Sequence, residues 1–253
     1  MLLACDIGNT NIKICIFRED ELTGFNIFSS TDDLLASLKS VNISKAAISS
    51  VVPGKTKIVS DFLKNEFNVP AYQITKESLF NLKINYDTPE TLGIDRICSA
   101  EGAFSIFKSS NEFINYNSKT FLLSVDLGTA TTINIVGYPG EFLGGIIAPG
   151  IKIMALSLNK NTAQLPEVDF GNYKGNIGRD TKSSIASGII NSTIGVIERT
   201  IDFLKRERNA EEIKIYVTGG NAEVMIRFFD FEFIYEKGLV LKGIKSIYNM
   251  NMF

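Results

Sequence analysis

Leu2-Leu3-Ala4-Cys5-Asp6-Ile7-Gly8-Asn9-Thr10 and Leu122-Leu123-Ser124-Val125-Asp126-Leu127-Gly128-Thr129-Ala130 are two copies of one short design, set 120 residues apart. The offset superposes Leu2 on Leu122, Leu3 on Leu123, Asp6 on Asp126 and Gly8 on Gly128. Each copy reads as an apolar strand that delivers an acidic residue into a glycine turn. After each turn the β-branched residues alternate (Ile12, Ile14, Ile16; Ile133, Ile135), as a returning hairpin strand requires. A repeat on this scale predicts two related α/β halves, each a mixed sheet flanked by helices, with an Asp-x-Gly loop aimed at whatever lies between them.

The rest of the chain divides around these copies. In the first half, residues 2–6, 11–17 and 22–28 are expected as strands. A helix capped at Thr31-Asp32-Asp33 follows, then a strand over 46–51, a helix after Pro53-Gly54 and a strand over 69–74. The polar stretch 83–89 reads as loop. Ile97, Ala100, Ala103, Phe104 and Phe107 then recur at helical spacing. The polar segment 108–119 joins the halves, which places the domains at 1–117 and 118–253. In the second half, strands are expected near 121–126, 131–137 and 141–147, the last weakened by Gly144-Gly145. A helix follows Pro149-Gly150, then a long loop over 160–181 rich in Asn, Gly and Pro. A helix over 182–208, a strand over 213–217 closing in Gly219-Gly220, and a C-terminal helix from Leu239 complete the reading.

Composition narrows the chemistry. The chain has 253 residues and a formal net charge of −2. The one basic cluster, Lys205-Arg206-Glu207-Arg208, suits a helix C-terminus. Nothing in this balance predicts nucleic acid or an acidic membrane as partner, and no stretch is long and apolar enough to span a bilayer. Cys5, Cys15 and Cys98 are odd in number and sit inside apolar patterns, so buried thiols of a reducing, cytosolic compartment are expected. The N-terminus has no basic region before its apolar run, and no signal peptide is expected. There is no histidine. That excludes a Ser-His-Asp triad, an H-E-x-x-H zinc site and any imidazole acid or base. Proton transfer falls to a carboxylate, Lys, Tyr or Cys.

Three places carry candidate chemistry. In the Asp-x-Gly loops, glycine lets the backbone approach a phosphate and turns N–H groups outward as anion donors. A carboxylate repels phosphate, so Asp6 or Asp126 would instead hold a cation, Mg²⁺ through water or a monovalent ion. Lys13 could reach a transferring phosphoryl group. The bland alternative is that both loops are simple hairpins with Asp capping the turn. Gly219-Gly220, between strand and helix, would let a nucleotide approach the backbone, and is also an ordinary turn. Gly93-Ile94-Asp95-Arg96 admits two readings: Asp95 as a helix N-cap, or Asp95 taking a hydroxyl proton while Arg96 pairs with a substrate carboxylate.

Asp6-Ile7-Gly8-Asn9-Thr10-Asn11-Ile12-Lys13, Ser49-Ser50-Val51-Val52-Pro53, Gly93-Ile94-Asp95-Arg96, Asp126-Leu127-Gly128-Thr129-Ala130-Thr131-Thr132, Gly144-Gly145-Ile146-Ile147-Ala148-Pro149-Gly150, Ile177-Gly178-Arg179-Asp180-Thr181 and Val217-Thr218-Gly219-Gly220 follow one another as in type III pantothenate kinases. These belong to the acetate/sugar kinase, Hsp70 and actin superfamily, and the resemblance covers nearly the whole chain. It implies two actin-like (ribonuclease H-like) domains around a cleft, and phosphorylation of pantothenate by ATP with Mg²⁺ and K⁺ or NH₄⁺. By position it implies that Asp6 to Lys13 form the first phosphate loop and that Thr129 touches the nucleotide. Asp126 would hold the monovalent cation, and Asp95 would be the general base. Tyr86 would line the pantothenate pocket with Gly93, Ile94, Asp95 and Arg96, and Thr181 would complete it within a homodimer. The chain departs from the family at Asp180, where Asn is commoner, in a longer 108–119 segment, and at Glu236-Lys237-Gly238-Leu239, which lacks a frequent His. A sibling small-molecule kinase would share the two loops without needing Tyr86 and Gly-Ile-Asp-Arg, whereas a nucleotide-binding regulator would require a DNA or protein partner, and the balanced charge argues against direct DNA contact.

Overall fold

Leu2 to Ile7 alternates between two covered faces, and that alternation organises the first half of the molecule. The computed structural model describes residues 1–19, 21–171, 173–175 and 177–252. Asn172 and Asn176, inside the expected 160–181 loop, lie outside the described residues. Leu3, Cys5 and Ile7 enter a core with Ile12, Ile14, Leu34, Val59 and Leu63. Leu2 and Ala4 enter a second core with Cys15, Phe17, Cys98, Leu241 and Ile244. A strand covered on both faces accounts for the near-continuous apolar sequence.

The elements of this half are β1 (Leu2–Ile7), β2 (Ile12–Arg18), β3 (Glu21–Phe28), α1 (Thr31–Leu38), β4 (Lys45–Ser50), α2 (Pro53–Phe67), β5 (Ala71–Gln73), β6 (Lys83–Ile84) and α3 (Ile94–Lys108). The sheet order is β3-β2-β1-β4-β5. β1–β2 and β2–β3 are antiparallel, whereas β1–β4 and β4–β5 are parallel. Thr31 is not the cap of α1: Ser30 is, its side chain accepting from Asp33 N. The expected loop over 83–89 holds β6 and runs into a 3-10 turn at Pro89–Thr91. β6 forms because Lys83 and Ile84 pair in parallel with Glu141 and Phe142, a partner distant in sequence.

The second half contributes β7 (Thr120–Leu127), β8 (Ala130–Gly137), β9 (Glu141–Pro149), α4 (Ile151–Asn161), α5 (Thr181–Glu207), β10 (Glu212–Thr218), α6 (Ala222–Met225), β11 (Ile234–Tyr235) and α7 (Leu239–Met252). Its strand order β9-β8-β7-β10-β11 repeats that of the first sheet. β7–β8 is antiparallel, and β7–β10 and β10–β11 are parallel. Gly144 does not interrupt β9; it adopts φ 107 within a continuous strand. Among the described residues no helix is long and apolar enough to cross a membrane.

The chain divides into two compact units, which differ from a single cut at 117/118. The first comprises Met1–Asn115, Gly140–Leu143 and Gly238–Phe253, the second Tyr116–Pro139 and Gly144–Lys237. Helix α7, expected with the second half, belongs to the first. The physical reason is a backbone-to-backbone seam with α3. A Cβ on Gly243 would lie 1.8 Å from Cys98 O, and one on Gly102 would lie 2.1 Å from Leu239 O. Only paired glycines permit so close an approach.

Candidate active site

In the first unit the site begins at the end of β1. Asp6 lies opposite Lys13 of β2 and in register with Ser49 of β4, so the three residues form a row across the sheet. Alternation places Asp6 on the side of Leu2 and Ala4, the face covered by α3 and α7. The electrostatics agree. Burial pushes the Cys98 thiol of α3 well up, and the charges of Asp6 and then Asp95 push it further. Asp6, Ser49 and Asp95 therefore share one neighbourhood.

The β1–β2 loop closes with Gly8 N donating to Asn11 O at 3.0 Å. Asn9 and Thr10 are exposed. Ile7 and Ile12 are wholly buried, so their side chains belong to the core and the loop's outward chemistry rests on residues 8–11 and Lys13. Lys55, which the sequence did not single out, extends from the first turn of α2 to donate to Asn9 O at 3.3 Å. Its 46-residue separation from the loop leaves no local signal.

At the start of α3 the reading of Asp95 as N-cap falls away. The N-cap is Gly93, and Asp95 stands in the first turn without capping the helix. Its carboxylate folds back over Gly93, where a Cβ would meet Asp95 Oδ1 at 2.3 Å. Asp95 is exposed and Arg96 is buried. The Arg96 guanidinium lies 5.8 Å from the ring centres of both Tyr86 and Phe142, which themselves meet edge to face at 6.1 Å. An arginine flanked by two aromatic rings is held in orientation while its fork of N–H donors stays suited to a carboxylate. Phe142 is the member of this set that sequence spacing missed, because it arrives on β9.

The second unit repeats the loop with a difference. Ile7 pairs with Ile12, leaving the four residues Gly8–Asn11 in the first turn. Leu127 pairs with Thr131, leaving the three residues Gly128–Ala130 in the second. The shorter turn puts Thr132 opposite Asp126, where the first copy has Lys13 opposite Asp6. Asn221 fastens the second loop, donating from N to Leu127 O and from Nδ2 to Gly128 O, each at 2.9 Å. Gly150 N donates to Thr129 O at 3.1 Å on the other side.

The two glycines after β10 divide their roles. Gly219 adopts φ 106, and a Cβ there would lie 2.4 Å from Leu127 C and 2.5 Å from Asp126 Oδ1, so this glycine serves the protein's own packing. Gly220 faces open space. Thr181 begins α5 behind Asp180, which forms a reciprocal capping box with Ser183. Hydrogen bonds from Ser183 hold the Asp180 carboxyl below its ordinary range. Its negative charge is thus absorbed by the helix N-terminus. Thr181, Ile153, Leu158 and Ile185 line a largely apolar groove of about 970 Å³ in this unit.

A family model described as type III pantothenate kinase matches residues 2–202. The chain belongs to the type III pantothenate kinase family. A type III pantothenate kinase of Agathobacter rectalis is 32% identical over 262 residues, covering 98% of this chain and 96% of its own. Another, from Desulfosudis oleivorans, is 33% identical over 262 residues and 98% of each chain. Among solved structures, a Campylobacter jejuni protein assigned to the Baf family of transcriptional activators aligns over 98% of both chains, with a TM-score of 0.57 and 24% identity. The ethanolamine utilization protein EutJ of Carboxydothermus hydrogenoformans aligns over 97% of this chain and 89% of its own, with a TM-score of 0.52 and 11% identity. At such identities the likeness speaks to fold alone: two actin-like halves. The span matched to the pantothenate kinase family contains Asp6, Asp95, Asp126 and Thr181, and ends before Gly219.

Proposed function

We propose that the protein transfers the γ-phosphoryl group of ATP to the hydroxyl of pantothenate, giving phosphopantothenate in the first step of coenzyme A biosynthesis. The observation that carries this reading is the start of α3, where an exposed Asp95 with no capping duty stands beside an Arg96 gripped by Tyr86 and Phe142. Arg96 pairs with the substrate carboxylate, Tyr86 walls the pocket, and the backbone at Gly93 and Ile94 lines it. Asp95 orients the hydroxyl and accepts its proton as the new O–P bond forms. The bond from phosphorus to the ADP oxygen breaks, and ADP leaves with the electron pair. In a loose transition state that proton departs late, so a carboxylate suffices as base.

Residues 8–11 with Lys13 receive the phosphates at the first loop, Thr129 at the second, and Gly220, whose backbone faces open space, the nucleoside; Gly219 is taken up by packing. Among the described residues no three His, Cys, Asp or Glu side chains gather to hold a metal ion. Asp6, a single carboxylate at the end of β1, fits Mg²⁺ brought on the phosphates of ATP and reached through water, because Mg²⁺ keeps several waters and few carboxylates. Bound Mg²⁺ would neutralise charge on the transferring phosphate. Asp126, opposite a threonine rather than a lysine, suits K⁺ or NH₄⁺. The apolar groove at Thr181 supports a homodimer in which the second subunit completes the substrate pocket. The buried thiols fit a cytosolic setting.

Purified protein with ATP, Mg²⁺, K⁺ and pantothenate should release ADP and phosphopantothenate, read by a coupled assay and mass spectrometry. Folded protein that leaves pantothenate untouched while phosphorylating another alcohol from a substrate panel would transfer the assignment to a sibling kinase.

A further inference from the structure

Glu101 is a carboxylate on α3 with no solvent exposure. Burying a charge is costly unless its oxygens are supplied with donors, and here three neutral donors converge on it. Asn81 Nδ2 donates to Oε1, Ser246 Oγ donates to Oε1 at 3.0 Å, and Leu82 N donates to Oε2 at 3.4 Å. Asn81 Nδ2 also reaches Ser246 Oγ at 3.1 Å, and Lys108 Nζ donates to Asn81 Oδ1 at 3.3 Å. Burial raises the affinity of this carboxyl for its proton, and the hydrogen bonds from Asn81 and Ser246 offset part of the rise. Neither the proposed chemistry nor the phosphate loops use Glu101.

Its placement supplies a role. Asn81 and Leu82 open the segment that runs through β6 to Tyr86. Further along, that segment is held by Lys83 N donating to Gly140 O at 2.9 Å and Asn85 N donating to Phe142 O at 3.1 Å. Glu101 stands one and a half turns after Asp95 and Arg96 on the same helix. We propose that Glu101 is a positioning residue for the acceptor substrate: its buried carboxylate ties the Tyr86-bearing segment to the helix that presents Asp95 and Arg96. The inference rests on the pantothenate kinase reading given above. Without the tie the aromatic wall shifts relative to the arginine, while the phosphate loop on β1 and β2 is untouched.

Glu101→Gln tests this with little change of shape. The amide has one acceptor oxygen, so its NH₂ must face a donor that the carboxylate had accepted. The expected result is a KM for pantothenate raised about tenfold, with kcat and the KM for ATP within about twofold, because ground-state and transition-state binding of the acceptor weaken together. Ser246→Ala removes a donor from α7 and leaves the Leu82 bond in place, so it should lower Tm without moving the KM for pantothenate. If Glu101→Gln does not fold, Asn81→Ala cuts the same tie from the other side and should raise that KM similarly. A lowered Tm with every kinetic constant unchanged would reduce Glu101 to a structural strut. A parallel loss of kcat and of both KM values would equally overturn the positioning role. Wild-type protein inactive towards pantothenate would sink the functional reading and this inference with it, whereas active protein indifferent to both variants would sink the inference alone.

Discussion

Asp95 carries the proposed chemistry at the residue scale. It is exposed, sits in the first turn of a helix whose cap is Gly93, and bends its carboxylate back over that glycine. Asp95→Asn keeps the volume and removes the base. It should lower kcat by about 10²–10⁴-fold while ATP binding, measured by calorimetry or fluorescence titration, stays near wild type. Turnover that survives this change would remove Asp95 from the role of base. Glycine, acid and arginine were legible in the sequence as a candidate group. Whether Asp95 caps the helix was not, since cap geometry is a matter of φ, ψ and the N–H groups the side chain faces. Phe142 and Lys55 were invisible for a different reason: each reaches its neighbours across the fold, and no short-range pattern records such an approach.

At the scale of elements, two features decide the arrangement. One is the turn-length difference between the repeats, four residues against three, which sets Lys13 opposite Asp6 in one copy and Thr132 opposite Asp126 in the other. The other is the α3–α7 seam. Gly243→Ala would press a methyl group into the Cys98 carbonyl, and overpacking of this kind costs roughly 1–3 kcal/mol. Chemical denaturation should show that loss, and an unchanged midpoint would mean that the helices separate freely. In the sequence Gly243 looked like any helical glycine, and the apolar run around it gave α7 its existence without its partner.

For the whole molecule, the telling quantity is stability against pH. Glu101 in the folded chain holds its proton more tightly than the ordinary carboxyl value of 4.5. The sign follows by linkage: the stabilisation from this proton is complete below the unfolded value and disappears as pH rises through the folded one. The Tm of wild type minus that of Glu101→Gln should therefore fall as pH rises above 4.5, because every other carboxyl cancels in the difference. A difference that stays flat with pH would show that Glu101 does not titrate in this window. Asp180 works in the opposite direction: its lowered value adds stability above the ordinary carboxyl range that is lost as pH falls.

From its residues alone the chain determined the doubled α/β architecture, most of its strands and helices, and the groups that are candidates for the chemistry. Periodicity, turn glycines and the absence of histidine are local or compositional properties, and a sequence states those directly. The tertiary structure decided which unit owns α7, how 81–86 is fastened, which glycines serve packing and which face open space, and that Glu101 is buried against Asn81, Leu82 and Ser246. Those outcomes depend on atoms brought within a few ångströms by chain closure. Sequence order does not encode such distances, because residues far apart along the chain meet only when the sheet and its covering helices form.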